Sequence, residues 1–185
     1  MKTKTHLWNK DFVLLWQGQA FSQLGSQGFT IAAMFWIKHT TGSATQMGVF
    51  MMLTQLPAVL LGVIGGSVAD RFPRKRIIVL CDLFCGLAVL SLALLMLFKP
   101  SWNNVFGPCI IGTSIVVAIF GAFFRPAINA VLPDLVPPEQ MSKANSLYQI
   151  SGQSAALLGQ ALGGVLYRII GAPLLFLLDG ISSSF

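Results

Sequence analysis

Long apolar runs dominate this sequence and limit what it can fold into. A helix needs about 20 apolar residues to cross a hydrocarbon layer roughly 30 Å thick. Five runs reach that length and a sixth begins near the end of the chain. We place them near residues 12–36, 46–69, 77–98, 105–124 and 144–167, with the last starting around residue 173. The sequence therefore predicts an all-α integral membrane protein, a bundle of six transmembrane helices formed by residues 1–185.

The composition is that of a membrane protein. Hydrophobic residues make up 55% of the 185 residues and charged residues 10%, with a mean hydropathy of +0.74. Soluble domains carry roughly 25% charged residues. The formal net charge is +6, but the basic residues stand between long uncharged runs and do not form the basic face of a soluble domain. We therefore expect membrane lipid around the helices and do not expect nucleic acid as a partner.

No set of side chains has the spacing of a catalytic or metal site. Cys81, Cys85 and Cys109 lie within apolar runs, and His6 and His39 are far from them in the sequence. No nucleophile stands beside a base, and no glycine-rich phosphate loop is present in the sequence. The first run is also too long for a signal-peptide core of roughly 7–15 residues. We expect neither an enzyme nor a bound metal or cofactor.

The distribution of cations predicts the orientation of the chain. Cytoplasmic flanks of membrane helices carry an excess of Lys and Arg. One set of flanks holds Lys2, Lys4, Lys10, Arg71, Arg74, Lys75, Arg76, Arg125 and Lys143, whereas the alternate set holds Lys38, Lys99 and Arg168. We therefore expect a cytoplasmic N-terminus in a multi-pass protein of the cell inner (plasma) membrane.

The sixth run is short for a membrane span. From Pro173 to Phe185 it has about 13 residues, which reach roughly 20 Å at 1.5 Å per residue. Either this helix is tilted and stops inside protein, or the chain is part of a longer protein, and we favour the second explanation. Residues 60–71 and 157–168 also resemble each other, which predicts two units of three helices in inverted orientation.

The segment GGSVADRFPRKRI (65–77) joins the second run to the third and concentrates charge. A small residue such as Gly66 lets another helix approach closely. Asp70 follows at the end of the second run, where the negative end of the helix dipole disfavours a carboxylate. We therefore expect a partner for Asp70, either Arg71 or Arg74 or the N-terminus of another helix. The simpler alternative is a solvated turn in contact with lipid head groups.

This segment resembles the signature loop between the second and third helices of the major facilitator superfamily. The matching residues are Gly66, Asp70, Arg71, Arg74, Lys75 and Arg76. Pro73 stands where the common pattern has a glycine. The resemblance implies that Asp70 and Arg74 form a latch on the cytoplasmic side, that Arg71 supports it, and that Asp70 faces a helix of a second bundle.

Three further stretches resemble the drug-exporter branch of the same superfamily, which includes the macrolide-efflux proteins. They are residues 15–27, 125–147 and 176–185. The resemblance implies a twelve-helix fold of which this chain is the N-terminal half. It also implies a missing C-terminal six-helix half, supplied by the same full-length chain or by a second subunit.

Polar side chains recur at helical spacing in the first and fifth runs. Because successive residues of a helix are 100° apart, each set falls on one face. These candidate cavity residues are Gln19, Gln23, Ser26 and Thr30 in the first run and Asn145, Gln149 and Gln153, with Gln160, in the fifth. The candidate packing glycines are Gly62, Gly159, Gly163 and Gly164. We interpret these faces as the wall of a polar passage beside a close helix contact; hydrogen bonds that merely hold the bundle together are the alternative.

Two acids within apolar runs are candidates for proton coupling. An acid at mid-bilayer costs about 2.5–3.5 kcal/mol on insertion scales, so such a residue is of functional interest. We favour Asp179; Asp82 is the second candidate, with pairing to a loop base as its structural alternative. Arg125 either reaches the cytoplasmic surface, which we favour, or faces inward toward Asp179 or an anionic substrate. Asp134 is expected to be solvated.

These features together predict a secondary active transporter. We expect it to export small, largely apolar compounds such as drugs or macrolides by alternating access and proton antiport. Alternating access requires two bundles that rock about a central site. The alternative function is therefore a transport-incompetent membrane fragment or scaffold that needs a second half.

Overall fold

The computed structural model describes residues 8–99 and 103–182, and its regular structure in these residues is helical throughout. The helices are α1 (Lys10–Thr41), α2 (Ala44–Arg71), α3 (Arg74–Phe98), α4 (Asn103–Leu135) and α5 (Met141–Ser182), with a 3₁₀ turn at Pro138–Gln140. The predicted all-α class is confirmed. Lys2, Lys4 and His6, which entered the sequence-based predictions, lie outside the described residues.

Short polar and glycine signals set the helix boundaries. The αL conformation of Gly42, with φ of 65°, ends α1, because glycine adopts a positive φ without steric cost. The Ser43 side chain then accepts a hydrogen bond from the N–H of Gln46 and caps α2. Pro73 separates α2 from α3. Connections this short make α2 run antiparallel to both α1 and α3.

A break at Gly171 divides α5. Gly171 has φ of 78° and ψ of 171°, which lies outside the helical region and favours glycine. Pro173 follows and cannot donate a backbone hydrogen bond. The part after the break, residues 172–182, corresponds to the predicted sixth run. Within residues 8–99 and 103–182 there are thus five α-helices, the last of them broken at Gly171, where the sequence predicted six; the six-helix bundle and the inverted repeat stay predictions.

Four helical segments in the described residues are long and apolar enough to cross a membrane. They are Ala44–Arg71, Arg74–Phe98, Val105–Leu135 and Pro138–Ser182. α1 has 32 residues, a length of about 48 Å at 1.5 Å per residue. Its amide and hydroxyl side chains make it less apolar than the other four.

Each helix packs against particular neighbours in the bundle. α1 lies along α5, α2 lies along α4, and α3 contacts both α4 and α5. A large buried cluster joins Phe29, Phe50, Ile110 and Phe176, and the rings of Phe29 and Phe176 have centroids 4.8 Å apart. Residues 172–182 are thereby packed against α1 and α3. In lipid such contacts stabilise through dispersion and close fit, since apolar burial alone provides no drive between helices.

We call the contact between α1 and α5 the seam. Glycines of α5 face side chains of α1 in four places: Gly152 with Gln23, Gly159 with Gln27, Gly163 with Ile31 and Gly164 with Phe35. A Cβ added to Gly159 would lie 2.5 Å from the Cβ of Gln27, far inside van der Waals contact. The seam therefore depends on the absence of side chains along one face of α5, as expected for helices that associate within lipid.

α2 meets α4 at Gly65. A Cβ added there would overlap the carbonyl oxygen of Ala122. Pro126 lies one turn later in α4 and has no N–H, so this carbonyl lacks its helical donor. The glycine at position 65 thus lets the backbone of α2 approach this carbonyl oxygen closely. Gly62, the predicted packing glycine of α2, has no neighbour within 4 Å of an added Cβ, so within the described residues Gly65 takes this role.

Hydrogen bonds fix the register where α1 begins and α4 ends. Asn9 caps α1 by accepting from the N–H of Phe12 at 2.8 Å. Its Nδ2 donates to the carbonyl oxygen of Leu135 at 2.7 Å. Trp16 Nε1 donates to the carbonyl oxygen of Leu147 at 3.3 Å. Three helix ends are thus tied together around the small buried cluster that contains Phe12.

Substitution of Gly65 tests the contact between α2 and α4. We expect Gly65→Ala to lower the thermal unfolding midpoint of the detergent-solubilised protein, because the new Cβ overlaps a backbone atom that cannot move aside. Gly62→Ala is the matched control in the same helix; it meets open space and replaces glycine by a residue that favours helix by about 1 kcal/mol. Equal midpoints for the two variants would contradict the packing described for Gly65.

Candidate functional site

Arg74 begins α3 and binds the end of α4. Its Nη1 donates to Oδ2 of Asp134 at 2.7 Å and to the carbonyl oxygen of Ala130 at 2.8 Å. A helix C-terminus carries partial negative charge, so the guanidinium is favoured there by both groups. Within the described residues Arg74 thus pairs with Asp134 and not with Asp70, while Asp134 keeps a side chain that is 63% exposed, as expected for a solvated position. The reason is that the start of α3 lies beside the end of α4.

Asp70 lies on a different surface, the exposed face of α2. The single ion pair within residues 8–99 and 103–182 is Arg74 with Asp134, so Asp70 forms none there. An added Cβ at Gly66 would meet no atom within 4 Å, and the helix face beside Asp70 is therefore open. Three other loop cations, Arg71, Lys75 and Arg76, are exposed as well. The loop motif thus presents Asp70 on an open face of α2. Arg74 of the same motif is paired with Asp134 at the end of α4.

The Arg74 contact aligns α3 with the antiparallel α4. Asp82 is eight residues after Arg74, and Arg125 is nine residues before Asp134. These separations are about 12 Å and 14 Å along the helices at 1.5 Å per residue. Asp82 and Arg125 therefore lie at the same level of the bundle, inside the end marked by the ion pair.

α1 and α5 each add a side chain at this level. The Tyr148 hydroxyl donates to Oε1 of Gln19 at 3.4 Å. Tyr148 is also within electrostatic range of both Arg125 and Asp82. We call Gln19, Asp82, Arg125 and Tyr148 the polar layer. Four helices thus bring one polar side chain each to a single level of an otherwise apolar bundle.

The members of the polar layer differ in exposure. Gln19 is 7% exposed, whereas Asp82 and Tyr148 are half-buried. Arg125 is exposed, although it lies about 14 Å along α4 from Asp134, which is farther than its side chain extends. Arg125 is within electrostatic range of Tyr148, and its two alternatives, reaching the surface or facing inward, both remain predictions.

The polar face of α1 divides into a bonded part and an open part. Gln19 is bound to Tyr148, and the Gln23 amide lies in the notch left by Gly152. Further along, Thr30 Oγ1 donates to the carbonyl oxygen of Ser26 at 2.9 Å, and both side chains are half-buried. The Thr30 hydroxyl thus donates to the backbone of its own helix, while the side chains of both Ser26 and Thr30 stay partly accessible.

The polar stripe of α5 lies beside the seam and is exposed along its length. Its members are Asn145, Gln149, Gln153 and Gln160. Asn145 and Gln149 also line a shallow open groove together with Ser142, Ser146 and Ile150. The structure does not bring this stripe into contact with Gln19 or Thr30. Exposed amides are costly against hydrocarbon, so the stripe needs a polar or protein neighbour.

Asp179 is buried within the part of α5 that follows the break. It is 3% exposed, although it is a carboxylic acid among apolar residues. A Cβ added to Gly25 of α1 would lie 2.5 Å from Asp179 Oδ1 and 2.5 Å from Ser182 Oγ. The absence of a side chain at Gly25 therefore makes the space that Asp179 occupies.

α3 connects the two acids that the sequence identified. Gly180, next to Asp179, packs against Leu90 of α3. Cys85 of the same helix is within electrostatic range of both Asp82 and Asp179 and contacts the carbonyl oxygen of Val117 at 4.0 Å. The acids thus lie on the inner side of the bundle at successive levels. The described residues contain no cluster of His, Cys, Asp or Glu that could hold a metal.

Comparison with known proteins identifies the family of this chain. The model of the family described as Major Facilitator Superfamily matches residues 15–185. The chain belongs to this superfamily. No solved structure matches it significantly.

Relatives in this superfamily carry names of transporters. Macrolide efflux protein A of Streptococcus pyogenes is 30% identical over 168 residues, which are 90% of this chain and 40% of the relative. Multidrug efflux pump Tap of Mycolicibacterium fortuitum is 27% identical, over 78% of this chain and 36% of the pump. Lysophospholipid transporter LplT of Enterobacter sp. (strain 638) is 26% identical, over 89% of this chain and 38% of LplT. The chain spans about two fifths of the length of the curated relatives it matches.

Sequence reasoning missed several residues of this superfamily member that the structure brings together. Tyr148 lies next to Gln149, a member of the predicted amide stripe, and was not considered. Gly25 and Gly180 carried no signal by themselves, because the residues that they face are distant in the sequence. Asp134 was expected to be solvated and is 63% exposed, but its pairing with Arg74 was not predicted; its place at the end of a helix, opposite a cationic loop, is a signal for that pairing.

Proposed function

We propose that this chain is the N-terminal half of a secondary transporter that exports small, largely apolar compounds by alternating access with proton antiport. Membership of the superfamily and relatives named for macrolide and multidrug efflux support an exporter. In this proposal the N-terminus lies on the cytoplasmic side of the plasma membrane. The remaining half of the full-length protein, or a second subunit, completes the passage.

The observation that carries the proposal is the burial of Asp179. Proton antiport requires a group that can gain and lose a charge within the membrane. Asp179 is 3% exposed and lies against α1 at a glycine, so a change in its charge acts directly on the contact between two helices. Asp82 is the second acid of this coupling path, nearer the end of the bundle that contains Arg74.

The substrate passage in this proposal runs beside the accessible faces of α1 and α5. The relevant side chains are Gln23, Ser26 and Thr30 of α1 and Asn145, Gln149 and Gln153 of α5. An apolar passage with a few amides accepts molecules of varied shape, which suits export of several compounds.

The loop between α2 and α3 acts as the latch of this transporter. Asp70 projects from an open face of α2, where a helix of the second bundle can approach it through its N-terminus. Arg74 holds the other side of the loop to α4 through Asp134. The latch in this proposal therefore consists of one fixed pair and one acid available to the partner bundle.

The alternative is a fragment without transport activity that acts as a membrane scaffold. The small share of the relatives' length that the chain covers keeps this alternative open. Sequencing the gene beyond the codon for Phe185 distinguishes the two: six further apolar runs support the transporter, whereas a stop codon supports the fragment.

Substitution of Asp179 tests the coupling. We expect Asp179→Asn in the full-length protein to abolish drug-induced proton movement in inverted membrane vesicles, because the amide cannot exchange a proton. The readout is a pH-sensitive dye inside the vesicles. Glu139→Gln, in the exposed connection before α5, is the control and should leave proton movement unchanged. Normal proton movement with Asp179→Asn, at equal amounts of protein, would refute the assignment.

Substitution of Asp70 tests the latch. We expect Asp70→Asn to reduce efflux several-fold while membrane insertion is unchanged, since a hydrogen bond to a charged group contributes about 1.5–3 kcal/mol. Drug accumulation in a pump-deficient host provides the measurement, and immunoblots of membranes verify the amount of protein. Wild-type accumulation in cells that express Asp70→Asn would show that no latch depends on this carboxylate.

A further inference from the structure

Arg125 is set apart from the other cations by its position. Every other Lys or Arg in the described residues lies within four residues of a helix end or of the break at Gly171. Arg125 lies ten residues before the end of α4, Leu135. Arg125 therefore lies well within the length of α4. The remaining cations of the described residues lie near helix ends or near the break at Gly171.

The described residues offer Arg125 no ion pair. The one pair within them joins Arg74 to Asp134, and no hydrogen bond to the Arg125 guanidinium is formed. Asp82 lies at the same level but outside the 4.0 Å range of an ion pair. A guanidinium has five N–H donors, so its capacity for an acceptor is unused here.

Lipid does not provide a suitable neighbour at this position. An Arg that faces hydrocarbon costs about 2.5–3.5 kcal/mol on insertion scales. Arg125 is within electrostatic range of Tyr148, whose hydroxyl donates to Gln19. An exposed guanidinium at this depth is favoured where it faces a polar passage and not the lipid.

We propose that Arg125 binds an acidic group, a phosphate or carboxylate, on an amphiphilic substrate whose apolar part lies along the passage. This inference rests on the proposed transport function and names its substrate class. A planar guanidinium matches the two oxygens of such a group in a forked, charge-assisted arrangement. Tyr148 and Gln19 lie beside it and position the acidic group, while Asp82 disfavours a second acidic group on the same molecule.

Matched amphiphiles test the charge preference. The full-length protein, purified in a neutral maltoside detergent, is titrated with dodecyl phosphate, dodecanoate or dodecyltrimethylammonium, and the thermal unfolding midpoint is recorded. We expect both anionic probes to raise the midpoint and the cationic probe to leave it unchanged. The two anions distinguish a phosphate preference from a carboxylate preference at the same site.

Variants of Arg125 identify the residue responsible. We expect Arg125→Gln to weaken the apparent affinity for the preferred anion by about tenfold or more, because a hydrogen-bonded charge is lost. Arg125→Lys should give an intermediate value, since it keeps the charge and loses the fork. Lys143→Gln is the control, because it removes an exposed cation near the start of α5.

Three results would overturn the inference. They are an equal response to anionic and cationic probes, an unchanged response in Arg125→Gln, and an equal loss of response in Lys143→Gln. If Arg125→Gln does not fold, the wild-type protein is compared with Arg125→Lys in the same titration. Identical shifts of the unfolding midpoint in these two proteins would overturn the forked contact. Efflux by the wild-type protein with no anion preference overturns this inference alone, whereas absence of efflux for every compound tested overturns the proposed function.

Discussion

The constraint on which this structure depends is that a polar group among apolar helices needs a neighbour in the protein or in a polar passage, and close approach of helices provides such neighbours. The seam between α1 and α5 satisfies it through glycines, which let backbones come near enough for side chains to fill the notches. Gln23 is the example, since its amide occupies the notch at Gly152. The seam fixes α1, and α1 in turn carries Gln19 and the glycine that accommodates Asp179.

Packing and not electrostatics sets the register of the charged groups. The side chains of Arg74 and Asp134 are 37% and 63% exposed. An ion pair this accessible contributes about 0–1 kcal/mol, too little to align two long helices. Contacts of backbone with backbone, such as Gly65 with Ala122, and the hydrogen bond from Asn9 to Leu135 hold the helices in place. The ion pair between Arg74 and Asp134 is therefore a consequence of the helix alignment that also brings Asp82 and Arg125 to one level.

The helices could be predicted because length and hydropathy alone require them in lipid. All five long apolar runs lie within helices of the structure, and the break at Gly171 falls where glycine and proline follow one another closely. The pairing of helices could not be predicted, because it depends on which face of each helix meets which neighbour. The glycine contact of α2 shows this: both Gly62 and Gly65 are small residues of one apolar run, and only the packed helices show that Gly65 meets Ala122 of α4 while Gly62 meets open space.

The candidate residues follow from residue type alone, but their contacts do not. Acids and amides stand out in an apolar sequence, so Asp179, Asp82 and the amide stripes could be named as candidates from the sequence. Their partners lie on other helices, and no local pattern reveals a contact such as Tyr148 with Gln19. The same reason explains the incorrect partner expected for Arg74, which was sought nearby in the sequence and is found 60 residues away.

The most direct test of the account is whether water reaches the polar faces of α1 and α5. Single cysteines are introduced into the full-length protein without its native cysteines, at Ser26, Thr30 and Gln153, and at Leu87 and Leu94 on the exposed apolar face of α3. A membrane-impermeant maleimide is then applied from each side of the membrane. We predict labelling at the three polar positions from at least one side and none at the two leucine positions. Equal labelling of both sets would contradict a shared polar passage within the bundle.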